Sequence, residues 1–331
     1  MRKYLIFTIL TFFFASCIKD DEPQFSNTVE GNFDALWHII DTRYCFLDYK
    51  NINWDSIKTV YQPRLPQVRT KYQLFDLFAQ MLAELKDGHV NLYSEFDVSR
   101  YWKWYTDYPA NFSSSIIYNE KYLGENYRIA GGLRYAKIAD GQVGYIYYGS
   151  FSNGFTVANI ASVFQQFADC KGIIIDVRNN GGGTVTYAET LATYFFETDQ
   201  TTGYIYHKTG NGHSDFSEPL PVITKANFQW KSKVAVLTNR MSFSATNDFV
   251  CRMQYAPYAI IVGDRTGGGG GLPFSSELPI GWSVRFSASP MTDRDGNQIE
   301  NGIDPTIKID MDTADNQNDA IIDRAVEEIL R

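Results

Sequence analysis

Residues 233–250, KVAVLTNRMSFSATNDFV, constrain the chain most. Val234, Ala235, Val236 and Leu237 form an apolar, β-branched run of the length of a buried strand. Thr238 to Ser242 break that pattern, and a helix can start at Ser244. A strand that turns sharply into a helix puts the turn at the carboxyl edge of a sheet. Backbone N–H groups point outward there, along the helix dipole. Ser244 is therefore a candidate nucleophile beside ready-made oxyanion donors. The plain alternative is a helix cap, since Ser is a favoured N-cap residue.

A second stretch repeats the design. Gly172-Ile173-Ile174-Ile175-Asp176-Val177 is a continuous apolar run of the kind buried in a parallel sheet. A strand at 144–148 and an amphipathic helix at 156–169 precede it, which makes a strand–helix–strand crossover and an α/β class. The run ends in Arg178-Asn179-Asn180-Gly181-Gly182-Gly183, with a new helix from about Tyr187. Glycines there let N–H groups face a ligand. The Gly-Lys-Ser/Thr ending of a phosphate loop is missing, so oxyanion donation is the better reading. Further strands are expected at 260–263 and 282–286, a glycine loop at 267–271, an ordered loop at 295–305 and a last helix at 319–330.

Upstream, Phe33, Leu36, Trp37, Ile40 and Tyr44 recur at helical spacing. A second helix is expected near Trp54. A third carries Leu74, Phe75, Phe78, Met81, Leu82 and Leu85 and should stop at Lys86-Asp87-Gly88. These make a helical N-terminal subdomain, 29–88, before a core at 89–331. His89 follows the helix stop at once, at an exposed junction ahead of a strand at 90–93. Residues 94–142 read as short antiparallel strands.

The first residues read as an export signal, 1–16: Arg2 and Lys3, then a short apolar stretch. Phe14-Ala15-Ser16-Cys17 resembles the lipobox of bacterial lipoproteins, with Phe14 in place of the usual Leu. Cys17 is the expected lipidation site, followed by a tether at 17–28. Asp20, Asp21 and Glu22 look like the acidic tag of outer-membrane lipoproteins displayed at the cell surface. Net charge over the 331 residues is −8, which argues against nucleic acid and against adhesion to anionic lipid, so membrane contact is expected through the anchor only. Cys45, Cys170 and Cys251 are too few and too far apart for a disulfide framework or zinc site. No metal and no cofactor is expected.

Four segments in order carry a resemblance: Lys86-Asp87-Gly88-His89-Val90, Asp176 to Gly183, Ser242-Phe243-Ser244-Ala245, and Gly263-Asp264-Arg265-Thr266-Gly267-Gly268. The chain resembles the tail-specific, or C-terminal-processing, serine peptidases, which also include the tricorn core protease and the retinoid-binding modules of the interphotoreceptor protein. The resemblance implies a crotonase-like, spiralled α/β core behind a small helical subdomain, and a protein or peptide substrate. Many members use a Ser-Lys dyad, but Gly269 stands where that lysine would be, and glycine accepts no proton. The tricorn-like branch uses Ser, His and Glu instead, which maps onto Ser244, His89 and Glu300. Oxyanion donors would be the amides of Ala245 and of Gly182 or Gly183. The span between His89 and Gly144 is too short for the PDZ domain of many relatives. The resemblance leaves a second function open, a non-catalytic lipoprotein that holds an apolar ligand on the same scaffold.

Overall fold

The computed structural model describes residues 23–331; the leader, Cys17 and the acidic residues after it lie outside them. Three helices come first, Val29–Arg43, Trp54–Tyr61 and Lys71–Ala83. Each begins where the sequence supplies a cap. The side chain of Thr28 accepts from the Gly31 amide, Asn53 from Ser56 and Thr70 from Gln73. The third helix ends at Ala83, and the left-handed residue behind it is Lys86, φ 47°, rather than Gly88.

The apolar stripes of these helices are buried, but they do not close a core alone. Leu278, Trp282, Val284 and Phe286 complete it from a sheet more than a hundred residues downstream. The Trp282 ring meets Phe75 and Phe78 edge-on, with centroids 5.7 and 6.3 Å apart. Each large apolar side chain buried this way contributes roughly 1.5–3 kcal/mol. The helical segment is thus fastened to the rest of the molecule by its own hydrophobic face.

The central sheet has seven strands in the order Ile307–Lys308, Ala259–Gly263, Lys233–Thr238, Gly172–Asp176, Val143–Tyr147, Leu133–Ile138 and Arg128–Ala130. The first five run parallel; the last two are antiparallel. Strand alternation feeds two cores. Ile173, Ile175, Val234 and Val236 face the helices that begin at Val185 and Ala245. Ile174, Ala235 and Leu237 face the last helix, Ala320–Leu330. This is why both runs are apolar throughout: each lies inside the sheet with both faces covered.

A second sheet orders Asn91–Tyr93, Ser283–Asp293, Gln200–Ile205 and Leu220–Thr224, with Gly271–Glu277 also on Ser283–Asp293. Most of it escapes a periodicity argument. Pro221 and Pro273 interrupt two strands, at places where an edge or an irregular register tolerates the lost donor. The expected antiparallel strands of 94–142 are confined to its end. Two short helices, Lys103–Thr106 and Ser114–Ile117, occupy the middle.

Candidate active site

The strands Gly172–Asp176 and Lys233–Thr238 are parallel neighbours, so their carboxyl-end turns meet at one edge. The Phe243 amide donates to the Asn180 carbonyl at 3.1 Å and ties the turns together. The polar residues of the first turn are scaffold. Arg178, fully buried, forks onto Asp176 and reaches Asp319, the cap of the last helix. The Asn180 side chain donates to the Tyr148 carbonyl, and its oxygen accepts from the Gly182 amide at 3.0 Å.

Ser244 opens the helix Ala245–Met253 with φ 60° and ψ −121°. A non-glycine residue in that region stores of order 1–3 kcal/mol of strain, held by the surrounding fold. Its amide is fixed to the Gly268 carbonyl at 2.9 Å. Its hydroxyl makes no capping bond. Instead Oγ lies 2.8 Å from Nε2 of His89. The capping alternative therefore fails on geometry.

His89 is 3 % exposed, not the exposed junction residue that its sequence position suggests. The reason is Phe243, whose ring lies 4.7 Å from the imidazole and is itself stacked under Trp104 at 4.2 Å. Burial pushes the imidazole down to about 4; Asp87 and the Gly271 backbone oppose this, while Arg285 and Lys50 add to it. An imidazole in water titrates near 6.5, so the protein lowers this one. At neutral pH His89 is uncharged and can accept a proton.

Glu300 is buried nearby, yet both its oxygens are used away from the imidazole. Oε1 pairs with Lys50 Nζ at 2.7 Å, and Oε2 accepts from the Gly270 amide at 3.0 Å. No carboxylate is hydrogen-bonded to His89 Nδ1; the Gly271 backbone is what acts on the ring from that side of the site. The direct Glu300–His89 contact that the resemblance implies is absent, because the Gly269 and Gly270 amides hold the Glu300 segment beside Lys50. Burial and then Asp87 push the Glu300 carboxyl up to about 8, against Lys50 and the Gly270 amide. Lys50 went unnoticed in the sequence, where no spacing links it to either acid.

Gly182 lies against the Ser244–Ala245 turn, while Gly183 lies against Phe151 and Ser152. A Cβ on Gly182, φ +95°, would fall 2.9 Å from Ser244 Cβ and 3.0 Å from the Ala245 nitrogen. The Gly182 amide is taken by Asn180, whereas those of Gly183 and Ala245 donate to nothing within the described residues. At Gly269, φ +78°, a Cβ would fall 2.6 Å from the Phe243 ring, so a lysine there would be strained and would have to displace that ring.

A cavity of about 320 Å³ opens beside His89 and Ser244. Val185, Ile205, Val222, Leu272, Met291 and Ile299 supply its apolar wall. Arg252, also in the lining, is neutralised by Asp248 and Glu189, each at 2.9 Å. Cys45, Cys170 and Cys251 are buried free thiols, and burial together with the nearby charges of Glu300 and Asp87 pushes the Cys45 thiol up. Among the described residues no cluster suits a metal ion.

The model of peptidase family S41 matches residues 142–309, half of the chain, and the tricorn protease C1 domain model matches residues 25–83. The carboxy-terminal processing protease CtpB of Bacillus subtilis (strain 168) is 27% identical over 176 residues, 52% of this chain and 35% of that protein. The chain spans about a third of the length of such curated relatives. A solved structure from Parabacteroides merdae ATCC 43184, assigned as a candidate peptidase, is 49% identical, covers 92% of this chain and 98% of its own, and superposes with a TM-score of 0.89. Mature CPAF in complex with lactacystin, 13% identical over 91% of this chain and 98% of its own, shares the fold at a TM-score of 0.67. The chain belongs to peptidase family S41.

Proposed function

We propose that the chain is a serine endopeptidase in which Ser244 attacks a peptide carbonyl. His89 takes the Oγ proton and returns it to the leaving amine. The observation that carries this reading is the 2.8 Å contact between His89 Nε2 and Ser244 Oγ, with the imidazole kept neutral by burial. A serine hydroxyl is too weak an acid to attack unaided, and a neutral imidazole in contact supplies the missing base. The amides of Gly183 and Ala245 would hold the oxyanion. Glu300 closes the acidic end of the site through Lys50. A crotonase-like spiral is the finer description of the core that accords with this strand order.

The apolar cavity beside Ser244 suits a medium-sized apolar side chain of the peptide, next to the bond that is cut. The same cavity is the observation that favours the rival, a lipoprotein that merely holds an apolar ligand. Cleavage of an unfolded protein by purified wild type, but not by Ser244→Ala, supports the peptidase. Equal cleavage by both would end the assignment, and a co-purifying lipid without cleavage would favour the binder. By its Cys17 motif the protein is further proposed to be a lipid-anchored outer-membrane protein that meets protein or peptide substrates, not nucleic acid.

A further inference from the structure

We propose that Asp87, rather than Glu300, is the carboxylate that positions and charge-supports His89, and that Glu300 acts on the histidine only at a remove, through Lys50 and Asp87. The inference rests on the Ser244–His89 reading above and adds a positioning residue to it. The Asp87 side chain has no exposure, and donors from three other parts of the fold converge on it. Oδ1 accepts from the backbone amide of His89 at 2.7 Å. Oδ2 accepts from Tyr44, at the end of the first helix, at 3.0 Å, and from Ser287, in the long strand of the second sheet, at 2.9 Å. Lys50 Nζ stands 3.6 Å from the same oxygen and also donates to the carbonyls of Leu85 and Lys86. An acid so tethered fixes the backbone of the residue that must face Ser244.

Glu300 sits one step further out. It meets Lys50 and the Gly270 amide, with no bond to the histidine. No carboxylate is hydrogen-bonded to the ring, whose backbone neighbour is Gly271, so an acid's support for the imidazolium acts through space. Among the charged groups acting on His89, Asp87 has the largest influence and the stabilising sign; Arg285 and Lys50 oppose it. Two acids share one lysine here, so the site does not hold both charges equally. Burial would raise Asp87, but Lys50, His89 and the hydrogen bonds from His89 and Ser287 hold it below the usual carboxylate range. Glu300 moves the other way. These opposite directions favour the negative charge on Asp87, the acid bonded to the His89 amide. As the proton passes from Ser244 Oγ to His89 Nε2, the new imidazolium faces that charge.

The test is the labelling of full-length protein by a fluorophosphonate probe, with kinact and KI measured separately at neutral pH and thermal melting as a check on folding. Asp87→Asn should lower kinact tenfold or more with KI within about twofold, since a charge is lost at the base and not in the pocket. Glu300→Gln should lower kinact less than tenfold. A merely structural role would move KI with kinact. Asp87→Asn losing less than tenfold, or Glu300→Gln losing tenfold or more at unchanged KI, overturns the inference. Should Asp87→Asn fail to fold, the Glu300→Gln result decides alone by the same threshold. Labelling of Ser244→Ala at the wild-type rate would instead overturn the nucleophile assignment beneath it.

Discussion

His89 Nε2 and Ser244 Oγ lie 2.8 Å apart although 155 positions separate them in the chain. One stands behind the helical segment, the other at the end of a central strand. The contact exists because the N-terminal helices share a core with the second sheet, which also carries Ser287 and Arg285 to the base of the histidine.

The pH profile tests how that histidine is kept neutral. Burial holds it at about 4, below its unfolded value, so the uncharged form persists until the medium is strongly acidic. Protonated His89 cannot accept the Ser244 proton, and activity is lost as pH falls through that value. We expect kcat/KM to be level from mildly acidic to neutral pH, with its acid limb below about 5. A limb centred at or above about 6.5 would show a solvated histidine instead.

Gly182 tests the oxyanion turn. Its φ of +95° and the 2.7 Å separation of a notional Cβ from the Phe243 carbonyl leave no room for a side chain. Gly182→Ala should displace the Gly183 and Ala245 amides and slow turnover by about 10²–10³, the usual cost of a lost oxyanion donor. A wild-type rate in a variant of normal melting temperature would remove this turn from the mechanism.

Much of this was legible in the chain. Two apolar runs, each followed by a turn and a helix, announce parallel strands with exposed turns, and Ser244 and the glycines lie where such turns place them. What the sequence hides is set by long-range packing. His89 reads as exposed because nothing local tells that Phe243 and Trp104 will cover it. Glu300 reads as the histidine's partner because its lysine, Lys50, lies in a loop with no periodicity to mark it. Asp87 was in view, two residues before His89, but only the fold shows Tyr44, Lys50 and Ser287 gathered around it.

Leu272 tests the apolar cavity. It is 43% exposed, so a polar replacement should leave the fold intact, yet it lines the cavity beside Ser244. Leu272→Glu should lower kcat/KM about tenfold or more for peptides with an apolar residue at the cleavage site, chiefly through KM. Unchanged selectivity across a peptide library would place the substrate side chain elsewhere.

Cys17 tests the anchor. A multiply acylated cysteine holds a protein firmly to a bilayer, and the acidic residues after it cannot substitute by binding anionic headgroups. Cys17→Ala should release a soluble protein with unaltered peptidase activity, followed by fractionation and mass of the mature N-terminus. Retention of the variant in the membrane fraction would contradict the lipid anchor.

The central claim is that Ser244 is a nucleophile activated by His89. Incubating the purified protein with a fluorophosphonate and mapping the adduct by peptide mass spectrometry tests it most directly. The account predicts one stoichiometric adduct on Ser244, absent from Ser244→Ala and slowed by roughly 10⁴ or more in His89→Ala. An unlabelled wild-type protein, or labelling that persists at full rate without His89, would contradict it.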